Sequence, residues 1–210
     1  MTTGRDSTGR EEPHPALAAK VVAALDRLAR AQRHQRQVAA SRAGITPLQG
    51  ELLRTLAEGP PPEAVVGLLA RELAVSQPTV TASLEALRTK GLVTKSKAGP
   101  DKRRTRLELT AAGHEMVATL AAAEQSVIDA VSTVAPAAQE ATYVALLGLI
   151  ALFVDTGHIE VARTCLTCRH MASAPGGGRH CLLLDMALPD EALRVNCPEY
   201  EPRMPDARGA

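Results

Sequence analysis

At Gly91 the period of this 210-residue chain changes, and that change restricts the fold more than any other feature. Before it, VVGLLARELAVSQPTVTASLEALRTKGLV carries apolar residues at helical spacing in two short runs separated by Ala74 to Ser76. Ser76 suits an N-cap, Pro78 is tolerated in a first helical turn, and Val80, Leu84 and Leu87 form one buried stripe that Gly91 closes. After it, LVTKSKAGPDKRRTRLELT alternates apolar or β-branched residues with basic ones on either side of the turn-forming AGPD, which predicts a two-stranded hairpin. Two short helices, a tight turn and a hairpin make a winged helix-turn-helix, whose second helix enters the DNA major groove.

The charge pattern follows the same segment. From Arg88 to Arg106 eight basic residues face the single acid Asp101, a local +7 in a chain whose net charge is +1. Lys and Arg on a hairpin tip beside a recognition helix are placed to meet phosphates or reach a minor groove. On a helical wheel the side opposite the buried stripe carries Ala82, with Thr79 flanking it, and the first turn adds Ser76 and Gln77. The predicted DNA-contacting residues are therefore Ser76, Gln77, Thr79, Ala82, Arg88, Lys95, Lys97, Lys102, Arg103 and Arg104.

Flanking helices are expected on both sides. Residues 1–13 are polar and read as disordered, and an amphipathic helix begins near Leu17 and runs toward Ala40. Thr46 caps a second helix with Pro47 in its first turn and Gly59 past its end. Thr110 caps a helix expected to run to about Val134, and Pro136 starts another that ends near Gly157. This last helix is apolar nearly all round, so it is expected to be buried, against the first helix and a second copy of the chain. No stretch of about 18 apolar residues is expected, and the N-terminus does not read as a signal peptide, so a cytoplasmic protein is expected.

In DKRRTRLELTAAG, residues Asp101, Arg103, Leu109, Thr110 and Gly113 match the spacing of the wing signature of the multiple-antibiotic-resistance regulator (MarR) family. LARELAVSQPTVTASLEALRTKGLV is similar to that family's helix-turn-helix, and the resemblance covers roughly residues 15 to 155. It implies a dimeric DNA-binding regulator, usually a repressor, that binds a pseudo-palindromic double-stranded operator and releases it when a small-molecule effector binds or an oxidant reacts. Many family members carry a basic residue near the position of Ala82, and this chain does not.

Beyond Gly157 the chain departs from that pattern. All four cysteines fall within 33 residues, at Cys165, Cys168, Cys181 and Cys197. Cys-x-x-Cys brings two thiolates to one metal from a tight turn, and two later thiolates complete four ligands. In a cytosolic protein such a set points to metal or redox chemistry rather than structural disulfides. Zinc is favoured, although a second Cys-x-x-Cys knuckle is missing. A 4Fe–4S cluster follows, helped by Pro198 after Cys197. A thiol-disulfide switch at Cys165 and Cys168 and inert thiols complete the alternatives. His170 and His180 lie beside ligand cysteines, and His158 suits a helix C-terminus.

The expected architecture is mainly α with a small β-hairpin wing: residues 14–156 form the winged helix-turn-helix with its dimerisation helices, 157–202 a four-cysteine metal-binding module, and 203–210 a tail. Alternatives to a ligand-relieved repressor are an iron–sulfur redox, gas or iron sensor, or a non-specific DNA binder with a structural zinc tail. An enzyme is not expected: GHEMVA around His114 lacks the second histidine of a zinc-protease helix, and no Gly-rich phosphate loop is present.

Overall fold

The computed structural model describes residues 15–59, 65–97, 105–174 and 176–203. Seven helices and a hairpin form the first three quarters: α1 (Pro15–Arg42), α2 (Pro47–Ala57), α3 (Val65–Glu72), α4 (Gln77–Thr89), β1 (Val93–Lys97), β2 (Thr105–Leu109), α5 (Ala111–Ala122), α6 (Gln125–Ser132) and α7 (Pro136–Asp155). The core of the helix-turn-helix and wing joins Ala40 of α1, Leu52, Leu53 and Leu56 of α2, Leu69 of α3, Val80, Leu84 and Leu87 of α4, Val93 of β1 and Leu120 of α5. The fold is mainly helical with small antiparallel sheets, as the period of the sequence predicts.

Local chemistry sets the element ends. Thr46 caps α2 in a reciprocal box: its Oγ1 accepts from Gln49 N–H at 3.2 Å, and its own N–H donates to Gln49 Oε1 at 3.1 Å. Ser76 caps α4, accepting from Thr79 N–H at 3.3 Å. The turn before it passes through Ala74 at φ 51°, and Val75 N–H closes back on Ala70 O at 2.9 Å. β1 and β2 pair antiparallel with Val93 opposite Leu109 and Lys97 opposite Thr105.

Three expectations need correction. The helix expected from Thr110 to Val134 is interrupted at Ala123 and Glu124, where Glu124 N–H bonds Ala121 O at 2.9 Å in a tightened turn. The carboxylate of Glu124 is engaged there by Arg36 of α1 at 2.9 Å and by Arg54 of α2, so the bend places an acid between two other helices. The second correction concerns α7. Within one chain Leu147 is its fully buried side chain, and Leu146, Leu149, Leu152 and Phe153 are exposed. Leu147 packs not against α1 but against Cys165, Leu188 and Leu193 of the C-terminal segment. The expectation of no apolar stretch of about 18 residues is also corrected: α7 has the length and mean hydropathy of a membrane-crossing helix, by length and composition alone.

The C-terminal segment carries more structure than its Gly- and Pro-rich sequence suggests. A 3-10 turn (Cys165–Thr167) is followed by a three-stranded antiparallel sheet in sequence order: β3 (Met171–Ser173), β4 (Arg179–Cys181) and β5 (Met186–Ala187). A second 3-10 turn (Asp190–Ala192) precedes the loop of Cys197, and Cys168 pairs with Pro202 in an isolated bridge.

Candidate nucleic-acid interface and four-cysteine module

The outer face of α4 is open. Gln77, Thr79, Ala82 and Arg88 are exposed, as is Lys95 on β1. Two predicted contacts already have local partners. Ser76 Oγ lies 2.7 Å from Thr79 Oγ1 and accepts the Thr79 N–H, so its first role is the cap. Arg88 is paired with Glu85 one turn earlier, Nε at 3.0 Å and Nη2 at 2.6 Å, and this pairing holds the Glu85 carboxyl below its usual range. A phosphate reaching Arg88 must compete with that carboxylate. Lys90, part of the basic run, donates to Gly44 O at 2.7 Å and ties the end of α4 to the loop between α1 and α2. Lys97 lies at the end of β1, while Asp101, Lys102, Arg103 and Arg104 lie outside the described residues.

The described part of the wing signature is the hairpin's anchor. Thr110 Oγ1 donates to Gly91 O at 2.6 Å and accepts from Gly113 N–H at 3.0 Å, while Thr110 N–H donates to Leu92 O at 3.1 Å. A Cβ added to Gly113 would stand 2.1 Å from Leu92 O, so only glycine lets α5 approach the root of β1 this closely. Leu109 packs against the core from the last position of β2.

The four cysteines, predicted as one site, line a single small cavity of about 20 Å³ that is open on one side. Its other walls are Met171, Leu183, Leu184 and Leu188 together with the polar His170 and Glu199. The backbone fixes each sulfur-bearing position: Cys168 N–H bonds Cys165 O at 3.1 Å, Cys165 N–H bonds Arg194 O at 3.1 Å, Cys197 N–H bonds Arg163 O at 2.8 Å, and Cys181 pairs with Met171 across the sheet. Arg194 N–H also points at Cys165 Sγ, 3.2 Å away. Burial pushes the Cys165 thiol up, the Arg194 N–H opposes this, and Cys197, Cys168 and Cys181 push it further. All four thiols are free. As a donor set, four thiols in mostly apolar walls fit a thiophilic metal centre. Among the described residues, however, no three His, Cys, Asp or Glu side chains are drawn together tightly enough to hold one ion.

Two of the three histidines of the C-terminal segment have partners outside the cysteine cavity. His180 Nε2 is 3.0 Å from Asp185, and His158 Nδ1 is 2.9 Å from Thr156 Oγ1. His170 Nε2 is buried and lies 3.2 Å from Glu201 without hydrogen-bond alignment.

Arg163 was not anticipated. Its side chain is fully buried between the module and the helix-turn-helix. Nε reaches both oxygens of Glu72, the last residue of α3, at 3.1 Å, and Nη2 reaches Glu58, the C-cap of α2, at 3.1 Å. Nη1 is buried without a partner. Burial raises the Glu58 carboxyl pKa, with Arg163 opposing and Glu72 reinforcing. The residue's own carbonyl accepts the Cys197 N–H, so one residue joins a cysteine loop to α2 and α3. On its other side the module meets α7: Tyr143 OH donates to Leu193 O at 2.6 Å, and Arg203 pairs with Asp155 at 2.7 Å.

A core of three helices with a two-stranded wing defines a winged helix-turn-helix protein. Residues 43–104 match the model of the MarR family. Among solved structures, a MarR family transcription regulator, SP03579, aligns with a TM-score of 0.58 at 19% identity over 69% of this chain and 95% of its own. Staphylococcus aureus MarR, described in complex with salicylate and kanamycin, gives 0.56 at 20% identity over 66% and 93%. The S. aureus MepR–DNA complex gives 0.51 at 19% over 61% and 93%. The fold is thus that of MarR-family transcription regulators. Comparison with curated proteins gives no match.

Proposed function

We propose that the chain is a homodimeric transcription regulator, not an enzyme, that binds double-stranded operator DNA with α4 in the major groove and the wing on the adjacent backbone or minor groove. The observation that carries this reading is the exposed face of α4, with Gln77, Thr79 and Ala82 turned outward beside a hairpin whose sequence is strongly basic. Gln77 offers an amide to a base edge and Ala82 a methyl to thymine. Repression of the bound promoter is the expected mode, and the cytoplasm the expected compartment.

Dimerisation follows from the apolar surface. Leu149, Leu152 and Phe153 on α7, Ile128 and Val131 on α6, and Leu17, Val21 and Leu28 on α1 are large apolar side chains exposed in one chain. Exposed apolar area of this extent marks an association surface. A two-fold dimer also matches a pseudo-palindromic operator, with one recognition helix per half-site.

A small-molecule effector is part of the reading. S. aureus MarR is described with salicylate bound. Here a cleft between α1, α2 and α5 presents Arg36 and Arg54 around Glu124. An anionic effector would have to displace that carboxylate, and in doing so would loosen the bend between α5 and α6. The sequence suggests an aliphatic ligand pocket because aromatics are scarce, but this cleft is walled by charged side chains as well as Ala and Leu.

Selection from random duplexes followed by footprinting tests the reading. A protected pseudo-palindrome is expected, with Gln77→Ala relaxing one position per half-site and Arg103→Ala weakening binding to all sites. Steep salt dependence with no protected sequence would replace the operator-specific reading with non-specific binding.

A further inference from the structure

We propose that the C-terminal segment is a strut between α7 and the helix-turn-helix, and that Arg163 is its positioning residue, fixing the orientation of α4 and with it the half-site spacing that a dimer accepts. The inference rests on the dimeric DNA-binding reading above.

The strut is fixed at both ends. On the α7 side Leu147 packs on Leu188 and Leu193, Tyr143 OH donates to Leu193 O at 2.6 Å, and Arg203 pairs with Asp155 at 2.7 Å. On the other side the backbone around Arg163 is pinned before the guanidinium leaves it. Thr164 N–H and Thr167 Oγ1 donate to Ala162 O at 2.8 and 2.6 Å, and Arg163 O accepts the Cys197 N–H at 2.8 Å. Thr167 O in turn accepts from Tyr200 OH at 3.3 Å and from Arg203 N–H at 3.0 Å. An arginine on so constrained a backbone, with its side chain fully buried, holds its guanidinium in one place.

What the guanidinium holds there is the geometry of the recognition helix. Nε bonds both oxygens of Glu72, the last residue of α3, and Nη2 bonds Glu58, the C-cap of α2. The ends of two helices are thereby set at the width of one planar fork. α3 is eight residues long, and Ser76, the cap of α4, follows Glu72 by four positions. Between them Leu73 N–H returns to Leu69 O at 3.0 Å, Val75 N–H returns to Ala70 O at 2.9 Å, and Ala74 takes a left-handed φ of 51°. A turn this tight passes any tilt of α3 on to α4. Because α7 also carries exposed apolar side chains assigned to the second copy, the strut sets the angle of each recognition helix to the two-fold axis.

Duplexes carrying the selected half-sites, with the spacer lengthened or shortened by up to about two base pairs, test this. Each added or removed pair turns one half-site by about 35° and moves it by about 3.4 Å. Wild type should lose about tenfold or more in affinity at the first step, whereas Arg163→Met should bind the altered spacings within about threefold of its best. A role in stability alone would lower affinity by the same factor at every spacing. That result would overturn the proposal, as would a wild type that accepts all spacings equally.

Arg163→Lys keeps the charge but replaces the fork with a single ammonium group. It should flatten the spacing profile in the same direction, and it carries the test if Arg163→Met does not fold. Light scattering on the same samples separates the two readings. A wild type that is monomeric, or that protects no duplex, sinks the regulator itself. A dimer that binds DNA, with variants as selective for spacing as wild type, sinks only the strut.

Discussion

Gly113 and Thr110 show how a family signature divides between contact and support. Both act inside the fold: Thr110 pins the root of the hairpin to Gly91 and Leu92, and Gly113 leaves room for Leu92 O. Gly113→Ala must move backbone, because a methyl 2.1 Å from a carbonyl oxygen has no rotamer to escape into. A loss of about 2 to 3 kcal/mol is expected, read as a lower midpoint in thermal or urea unfolding. Thr110→Val keeps the shape but removes the cap, and about 1 kcal/mol is expected from that. Leu109, Thr110 and Gly113 can be placed from sequence because their partners lie within about twenty residues. Arg163 cannot, because its partners Glu72 and Glu58 are 91 and 105 residues away in the chain.

Among the elements, the recognition helix, the β1–β2 hairpin and the caps at Thr46, Ser76 and Thr110 are all legible in the sequence, because each is fixed by neighbours at helical or strand spacing. The break between α5 and α6 is not, since what engages Glu124 is a pair of arginines on α1 and α2, 88 and 70 residues distant. The strands β3 to β5 are also missed, being two or three residues long and too short to show alternation. α7 is legible as an apolar helix, but its partner is not. Its exposed Leu149 and Leu152 provide the element's own test. Wild type should elute at twice the chain mass by size exclusion with light scattering, and the double substitution Leu149→Lys and Leu152→Lys should elute at the chain mass with its helical signal retained. A wild-type protein that is monomeric at micromolar concentration would remove α7 as a dimer face.

For the whole molecule, the organising contact is the Arg163 clamp between the two parts of the chain. Arg163→Met leaves Glu58 and Glu72 facing each other at a partly buried junction, and removing one partner from a buried ion pair costs about 3 kcal/mol. The variant's deficit should depend on pH. Burial already raises the Glu58 pKa against the attraction of Arg163, with Glu72 repelling and Arg54 attracting from α2. A carboxyl with a raised folded pKa favours folding below its unfolded value, and this contribution is lost as the pH rises through the folded value. With the guanidinium gone that rise is larger, so the deficit of Arg163→Met should be greatest at neutral pH and narrow on acidification as Glu58 takes its proton. Urea unfolding of both proteins at neutral and mildly acidic pH measures this, and a gap independent of pH would mean that the two carboxylates are not what the arginine offsets.

The way α7 leans on the cysteine module has a consequence for the lifetime of the protein in the cell. Tyr143 and Leu147 are covered by Leu188, Leu193 and the segment around Cys165. A chain in which that segment has come away from α7 offers the stretch of apolar helix to chaperones and proteases, which act on whatever population has its apolar surface open. Substitutions that loosen this packing should therefore lower the amount of protein in the cell before they change its fold.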